Sequence, residues 1–502
     1  MVIIMKRIIS LILVLLMTSP LIVSCSEATT EEKETQNSGA EAAGEAVETE
    51  AETEDPWFGL EKADLQGMTF TILTGDWVGE PVWDVDDFSA EEYTGAPIND
   101  AVYDRNLKVE DRLNCKVAEA NFNVKEEGAT ALMTSVTAAD NAYQLWVPRL
   151  QQYVDMAANG YIMDMKNIVG IDFENPAWVQ NSIEGLSILN HNFAACNEMM
   201  TIHKEAVSSV LFNKNLADQY QLDDLYAVVS DGKWTLDYLA ATIENTSRDL
   251  NGDGKMTLDD QWGFLYQRDT LDAFLAGSGG AICNKDENDR PNYIFDSEQN
   301  ITALMKITEI LYNKNVCQNV MFAPGDFNVW MQNKFMGDEA MFMWVRNVNI
   351  PQLRSMESDF GILPNPKYDE TYEEYVSIVN SYTGAALAVP NIVDPNVEQY
   401  LGLFIETMGA ASLGTLTTAY YDVMLNGIAV RDQESSMMLD IIYSNTTYDP
   451  GSIGAYGAIQ DYIYMAMDYI NNFASYNAAR KKPVVKIIEK TMERIEDKHG
   501  AQ

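Results

Sequence analysis

Between residues 68 and 147 the chain switches repeatedly between strand-like and helix-like runs of apolar residues, and no other feature narrows the fold as much. Met68-Thr-Phe-Thr-Ile-Leu-Thr74 is β-rich and ends in polar Gly75-Asp76. A helical stretch follows from Ile98 to about Leu113, then a second strand from Cys115 to Val124, a helix around Ala129 to Ala138 and the short run Ala142-Tyr-Gln-Leu-Trp-Val147. Strand, helix, strand, helix, strand implies right-handed crossovers and a mostly parallel sheet, since parallel neighbours need a covering connection. Ligands of such sheets sit at the carboxyl ends of the strands.

Downstream, the pattern predicts an α-rich tract from Asp155 to roughly Ala276, with helices at Val207 to Gln219 and Thr235 to Arg248. Helices at Ser297 to Val316 and around Phe327 to Met336 follow, then strands at Ala340 to Val345, near Asp359 to Leu363 and at Ala385 to Val389. Helices at Pro395 to Met408, Ala455 to Phe473 and Val484 to Asp497 complete an α/β pattern without internal repeats. At 502 residues the chain exceeds what one hydrophobic core supports, so two lobes are expected.

Composition removes several function classes. Lys and Arg number 33 against 76 Asp and Glu, a net charge of −43, and such a surface repels a phosphate backbone, so no nucleic-acid partner is expected. His191, His203 and His499 are the only histidines, and no two have the i, i+4 spacing of a helical zinc site. Neither a P-loop nor a Gly-x-Ser-x-Gly elbow is present, so any ATP hydrolysis belongs to a partner.

The amino terminus reads as an address. Lys6 and Arg7 precede the apolar run Ile8 to Met17, broken only by Ser10, which is the pattern of a secretory signal and is short for a membrane span. Leu21-Ile22-Val23-Ser24-Cys25 resembles a bacterial lipoprotein box, so residues 1–24 are expected to be removed and Cys25 to be lipidated. An ordinary cleavage site with an incidental cysteine is the alternative. Two or more acyl chains on one cysteine anchor durably. From Ser26 to Asp55 the chain carries 11 acidic residues, one Lys and no aromatic, and cannot bury enough apolar surface to order itself, so residues 25–56 read as an extended tether. Cys115, Cys196, Cys283 and Cys317 lie far apart without a C-x-x-C pair, and are read as small buried hydrophobes.

Five further segments carry a resemblance. Met156-Ala-Ala-Asn-Gly-Tyr-Ile-Met-Asp-Met165, Leu211-Phe-Asn-Lys214 with Gly232-Lys-Trp-Thr235, Phe335-Met-Gly-Asp-Glu-Ala-Met341, Phe360-Gly-Ile-Leu-Pro-Asn-Pro366 and Ala385-Ala-Leu-Ala-Val-Pro390 resemble, in order, motifs of the family 1 extracellular solute-binding proteins of ABC importers. The resemblance spans most of Met68 to Met408. It implies a two-lobe periplasmic-binding-protein-like fold of type II, each lobe a mostly parallel sheet flanked by helices and joined by hinge crossovers. The first lobe would take residues 57–165 plus 380–430, and the second 166–379 plus 431–502. The implied work is capture of a small polar solute between the lobes, most simply a carbohydrate or oligosaccharide, and delivery to ABC permease subunits, by a monomer anchored outside the cytoplasmic membrane. No chemistry is done on the ligand. A ligand-sensing lipoprotein that signals to a receptor is the first alternative, and an extracellular glycoside hydrolase the second, although no spacing singles out a carboxylate pair.

Aromatics at strand ends are the ligand candidates. Asp76 and Trp77 follow the first strand, Trp146 ends the third, and Trp344 follows Ala340-Met341 with Arg346 and Asn347 beside it. Tyr382 precedes the return strand. A flat ring covers the C–H face of a sugar while Asp, Asn and Arg bond its hydroxyls. The resemblance points most directly at Trp344, and core packing explains Trp77, Trp146 and Tyr382 equally well. Trp178 and Trp234 read as structural. A second constellation, Asp249-Leu-Asn-Gly-Asp-Gly-Lys-Met-Thr-Leu-Asp-Asp260, places oxygen ligands at Asp249, Asn251, Asp253, the Lys255 carbonyl, Thr257 and Asp260. That spacing matches a calcium loop with Asp in place of the terminal Glu, which gives a weak structural Ca2+ site, and an Asx-rich turn is the alternative.

Overall fold

Phe70, Ile72 and Leu73 are wholly buried because β1 (Met68–Gly75) is the middle strand of three. The computed structural model describes residues 55–75, 87–122, 125–391, 394–427, 433–458 and 472–500. Cys25, nearly all of the expected tether, Asp76, Trp77 and most of the helix expected at Ala455 to Phe473 therefore lie outside the described residues. After β1 come α1 (Pro97–Leu113), β2 (Cys115–Phe122), α2 (Lys125–Ala138), β3 (Leu145–Trp146) and α3 (Leu150–Ala158). Both β2 and β3 pair parallel with β1, as the alternating pattern requires. Pro97 starts α1, where its missing N–H costs nothing, and Asn114 ends it in the left-handed region.

The second group of elements is β4 (Ser208–Asn213), α4 (Lys214–Tyr220), α5 (Leu236–Thr246), β5 (Trp262–Tyr266), α6 (Thr270–Gly277), the hairpin β6 (Cys283–Lys285) and β7 (Pro291–Tyr293), α7 (Glu298–Leu311), β8 (Cys317–Asn319), α8 (Phe327–Met336), β9 (Ala340–Arg346) and β10 (Phe360–Leu363). Side-chain caps mark their starts: Asn213 accepts from Leu216 N, Ser297 from Asn300 N and Asp326 from Asn328 N. Helices α9 (Pro395–Leu413), α10 (Leu416–Gly427) and α11 (Phe473–His499) close the chain.

The second sheet has the order β10-β4-β9-β5-β8 and corrects two expectations. It is not mostly parallel: β5 runs parallel to β8 and β9, but β4 opposes both β9 and β10. The chain reaches β4 directly from the first lobe without the βα crossover that would make it parallel. Residues 208–213 are also a strand, where a helix over Val207 to Gln219 was expected. All six residues of β4 and all five of β5 are buried, so neither strand shows the alternation that separates strand from buried helix.

Residues 166–201, expected in the second lobe, have contacts of two kinds: Leu189 N donates to Asp289 O at 3.1 Å in the β6–β7 turn, and other residues reach elements beside the first sheet. Ala195 pairs with Leu387, Arg105 Nη1 donates to Met199 O at 3.0 Å, and Thr201 N donates to Asp87 Oδ2 at 2.8 Å. The expected strand near Ala385 to Val389 is present as isolated antiparallel bridges to Trp146 and Ala195. Phe70 stacks on Phe404 of α9 with centroids 4.0 Å apart, fixing that helix on the first sheet. All four cysteines beyond Cys25 are buried free thiols.

One carboxylate in this first core makes a measurable pH dependence. Glu406 of α9 is fully buried, and its Oε1 accepts from Trp178 Nε1 and Asp172 N, each at 2.9 Å, while Oε2 has no hydrogen-bond partner among the described residues. Burial pushes its carboxyl up from 4.5 to about 7. The folded state therefore holds this proton more tightly than the unfolded chain, and stability falls as pH rises from about 4.5 to about 7. Glu406→Gln keeps an acceptor oxygen and removes the titration. Urea melts across that window should show the variant losing less stability per pH unit than wild type, by up to about 1.4 kcal/mol. Asp272, also raised to about 7 by burial, is present in both proteins and cancels in the difference.

Candidate ligand cleft

Because β5, β8, β9 and β10 run one way and β4 the other, the carboxyl ends of four strands and the amino end of the fifth share one edge. Two crossing segments meet there. Val207 bridges Val379, and Arg149, just past β3, bridges Ala385, so residues 379–385 lead from this edge to the carboxyl end of β3. Asn380 N donates to Ala206 O at 3.2 Å and ties the two crossings together. The ground between the two sheet edges is thus built of main chain.

Polar side chains gather on it. Arg346, the last residue of β9, forms an ion pair with Asp269, which lies just beyond β5, and their side chains are only 16% and 12% exposed. The same carboxylate accepts from Asn380 Nδ2 at 3.3 Å, so Arg346, Asp269 and Asn380 link the second sheet to a crossing segment. Asn380 Oδ1 accepts from Tyr382 N at 3.0 Å and from Thr383 N and Oγ1 at 3.1 Å, an Asx turn that sets the direction of the segment. Ser381 Oγ lies 2.8 Å from Ser452 Oγ and accepts from Gln151 Nε2 at 3.2 Å.

Of the candidates from sequence, Arg346 and Tyr382 stand at this ground, with Tyr382 partly buried. Asn347 does not present its amide: Oδ1 accepts from Ser209 Oγ at 2.7 Å and Nδ2 donates to Tyr443 Oη at 3.1 Å. Trp344 and Trp146 are each 2% exposed and have no open face for stacking. β9 is flanked by β4 and β5, with Trp344 opposite Val210, so its penultimate residues still lie inside the sheet. Among the described residues the indole N–H groups of Trp344 and Trp262 both lack an acceptor, so this feature does not single out Trp344. Trp178 and Trp234 are structural: Trp234 Nε1 donates to Pro364 O at 2.8 Å, and Trp178 donates to Glu406 as above. Sequence reasoning missed Asp269 and Asn380. The signal for Asp269 was a Trp-Gly-Phe-Leu-Tyr run followed by a polar turn and a helix, hidden inside a tract read as α-rich.

The loop from Asp249 to Asp260 directs its carboxylates at its own amides. Asp249 accepts from Gly252 N at 2.7 Å and Gly254 N at 2.6 Å, Asp253 from Lys255 N at 2.9 Å, and Asp260 from Leu250 N at 2.9 Å and Thr257 N at 2.6 Å. Asn251 Oδ1 accepts from Asp253 N at 2.9 Å. Among the described residues no three His, Cys, Asp or Glu side chains group to hold a metal ion. These bonds close the loop as the Asx-rich turn its sequence offers as one of two readings.

No family model matches this chain, and no curated protein matches it in sequence. Solved structures do match in fold. A cyclo/maltodextrin-binding protein complexed with maltotetraose is 10% identical, with a TM-score of 0.54 over 86% of this chain and 97% of that one. An ABC substrate-binding protein from Listeria monocytogenes in complex with cycloalternan is 12% identical, with a TM-score of 0.51 over 87% of this chain and 100% of that one. An ABC transporter solute-binding protein from Thermotoga lettingae bound with alpha-D-tagatose is 15% identical, with a TM-score of 0.50 over 85% and 100%. The chain has the α/β fold of the ABC solute-binding proteins. All three neighbours are named as binding proteins.

Two outcomes follow from this geometry. Trp344→Ala should cost about 3–5 kcal/mol of folding stability in denaturant titrations, as a core truncation does. Asp249→Ala should lower the melting temperature equally with and without millimolar calcium, since it removes amide hydrogen bonds worth roughly 1 kcal/mol each. A shift confined to calcium-containing buffer would restore the metal site.

Proposed function

We propose that this chain captures an uncharged carbohydrate between its two lobes and delivers it to an ABC permease, held outside the cytoplasmic membrane by a lipid on Cys25. The observation that carries the reading is the Arg346–Asp269–Asn380 link at the meeting of sheet edge and crossing segment. Asp269 pairs with Arg346 and lies 3.9 Å from the half-exposed Arg268, so the link gathers fixed hydrogen-bond donors and an acceptor of the kind that bind sugar hydroxyls. The carbohydrates named with the similar folds, maltotetraose, cycloalternan and alpha-D-tagatose, support the same ligand class. Among the described residues no helix is long and apolar enough to cross a membrane, so the anchoring assigned here falls to the amino terminus.

Capture works by closure. A sugar that contacts both lobes prefers the closed state, and only that preference shifts the population. Small-angle scattering against a panel of oligosaccharides, monosaccharides and peptides should show a smaller radius of gyration with one saccharide class and none with peptides; compaction by peptides alone would overturn the ligand assignment. Arg346→Gln should weaken binding of that saccharide about tenfold or more, as expected for a lost hydrogen bond to a charged donor. Cys25→Ser should move the protein from the membrane to the soluble fraction, and detergent dependence of that variant would count against the lipid anchor.

A further inference from the structure

On a chain of net charge −43, seven of the 33 cationic residues fall between Arg480 and Lys498 of α11. Lys482, Lys486 and Lys490 recur every fourth residue, which stacks them along one face of the helix. All three are exposed, and none makes an ion pair or hydrogen bond with another described residue. Like charges at this spacing repel along a helix, and a chain with 76 carboxylates had the means to pair them. Beside the stripe lies a groove of about 630 Å³. Lys481, Lys482 and Lys486 stand on it, Ala478 and Val485 give it an apolar strip, and Asp296 and Glu489 complete it. Asp296 is taken by Lys481 at 2.7 Å, which leaves the lysine stripe facing outward.

We propose that this face of α11 docks on anionic phospholipid headgroups. Cations around an apolar strip fit an amphiphile, a phosphodiester continuing into hydrocarbon, better than a free phosphate. Lys482 to Lys490 covers about 12 Å of helix, long enough to engage a surface instead of a single ion. At physiological salt the acidic remainder of the protein is screened beyond roughly 8 Å, so the stripe acts only where this face is turned to the membrane, and it orients the body there. The proposal rests on the reading that the chain works at a membrane surface.

The full lipidated chain is mixed with phosphatidylcholine vesicles or with vesicles containing one-third phosphatidylglycerol, and an amine-acylating reagent is mapped by peptide mass. Acylation of Lys482, Lys486 and Lys490 should slow at least threefold with the anionic vesicles at 0.1 M salt and recover at 0.5 M, while lysines elsewhere keep their rates. Flotation with the neutral vesicles reads the anchor separately. A chain that floats only with anionic vesicles would lose the anchor and keep the docking face. Equal acylation rates in both vesicles, or the same protection by inorganic phosphate without vesicles, would overturn the proposal.

Discussion

Main-chain pairing between the two crossing segments is the constraint on which the rest of the cleft depends. Val207 bridges Val379, Asn347 N donates to Val207 O at 2.9 Å, and Val379 N donates to Thr447 O at 3.0 Å, so the start of β4, the end of β9 and the crossing segment are joined in one short ladder. Side chains then take positions that the ladder dictates. Asn380 reaches Asp269 because its own amide is held by Ala206. Gly384 closes the turn with its N–H on Asn380 O at 2.7 Å, and a Cβ there would stand 2.8 Å from that oxygen and from Val379 Cγ1, so no larger residue fits without moving the segment.

The crossing into β4 is held by buried charge as well as by the apolar packing of Met199, Met200 and Ile202. Lys204 is buried and bonds Glu198 at 2.5 Å, and Thr417 Oγ1 donates to the same carboxylate oxygen at 2.6 Å. Burial opposes ionisation of Glu198, but Lys204 and these hydrogen bonds outweigh it and hold the carboxyl below its ordinary value. Burial and Lys204 drive His203 down to about 3, so the imidazole stays neutral between two charges. A pair like this gains little over an apolar filling, but losing one partner leaves the other charged and buried. It therefore tolerates only one arrangement of residues 198–206 against α10. That demand suits a segment that must enter the second sheet at a single register.

How much of this was legible in the sequence depended on exposure. The first sheet could be read because β1 has partly exposed positions among buried ones and helices of clear period lie between its strands. Ala340 to Val345 and Asp359 to Leu363 were readable as well, bounded by Gly, Asp and Pro. β4 and β5 were not, since strands buried on both faces lose the period-two signal. The site suffered for the same reason. Trp146 and Trp344 stood out because tryptophan at a strand end is conspicuous, but being near an edge along the chain does not place a ring outside a sheet covered on both faces. Asp269 went unseen because the strand that presents it was unseen. The contacts of Ala195 with Leu387 and of Met199 with Arg105 are pairings that no local pattern announces.

With Trp146 and Trp344 inside the cores, the proposed ligand meets polar side chains more than aromatic faces. Among the described candidates, Tyr382 is the aromatic left partly open, and the remaining groups are hydrogen-bonding side chains held by partners of their own. Stacking tolerates any sugar with a flat face, whereas fixed donors and acceptors penalise each hydroxyl that is absent or inverted, because a buried polar group is left unpaired. A cleft that leans on Arg346, Asp269 and Asn380 should therefore discriminate more sharply among stereoisomers than one that leans on rings. The surrounding charge works in the same direction. A net charge of −43 lowers the local concentration of anionic solutes, so the long-range field favours neutral polyols at a cleft whose fixed groups bond hydroxyls.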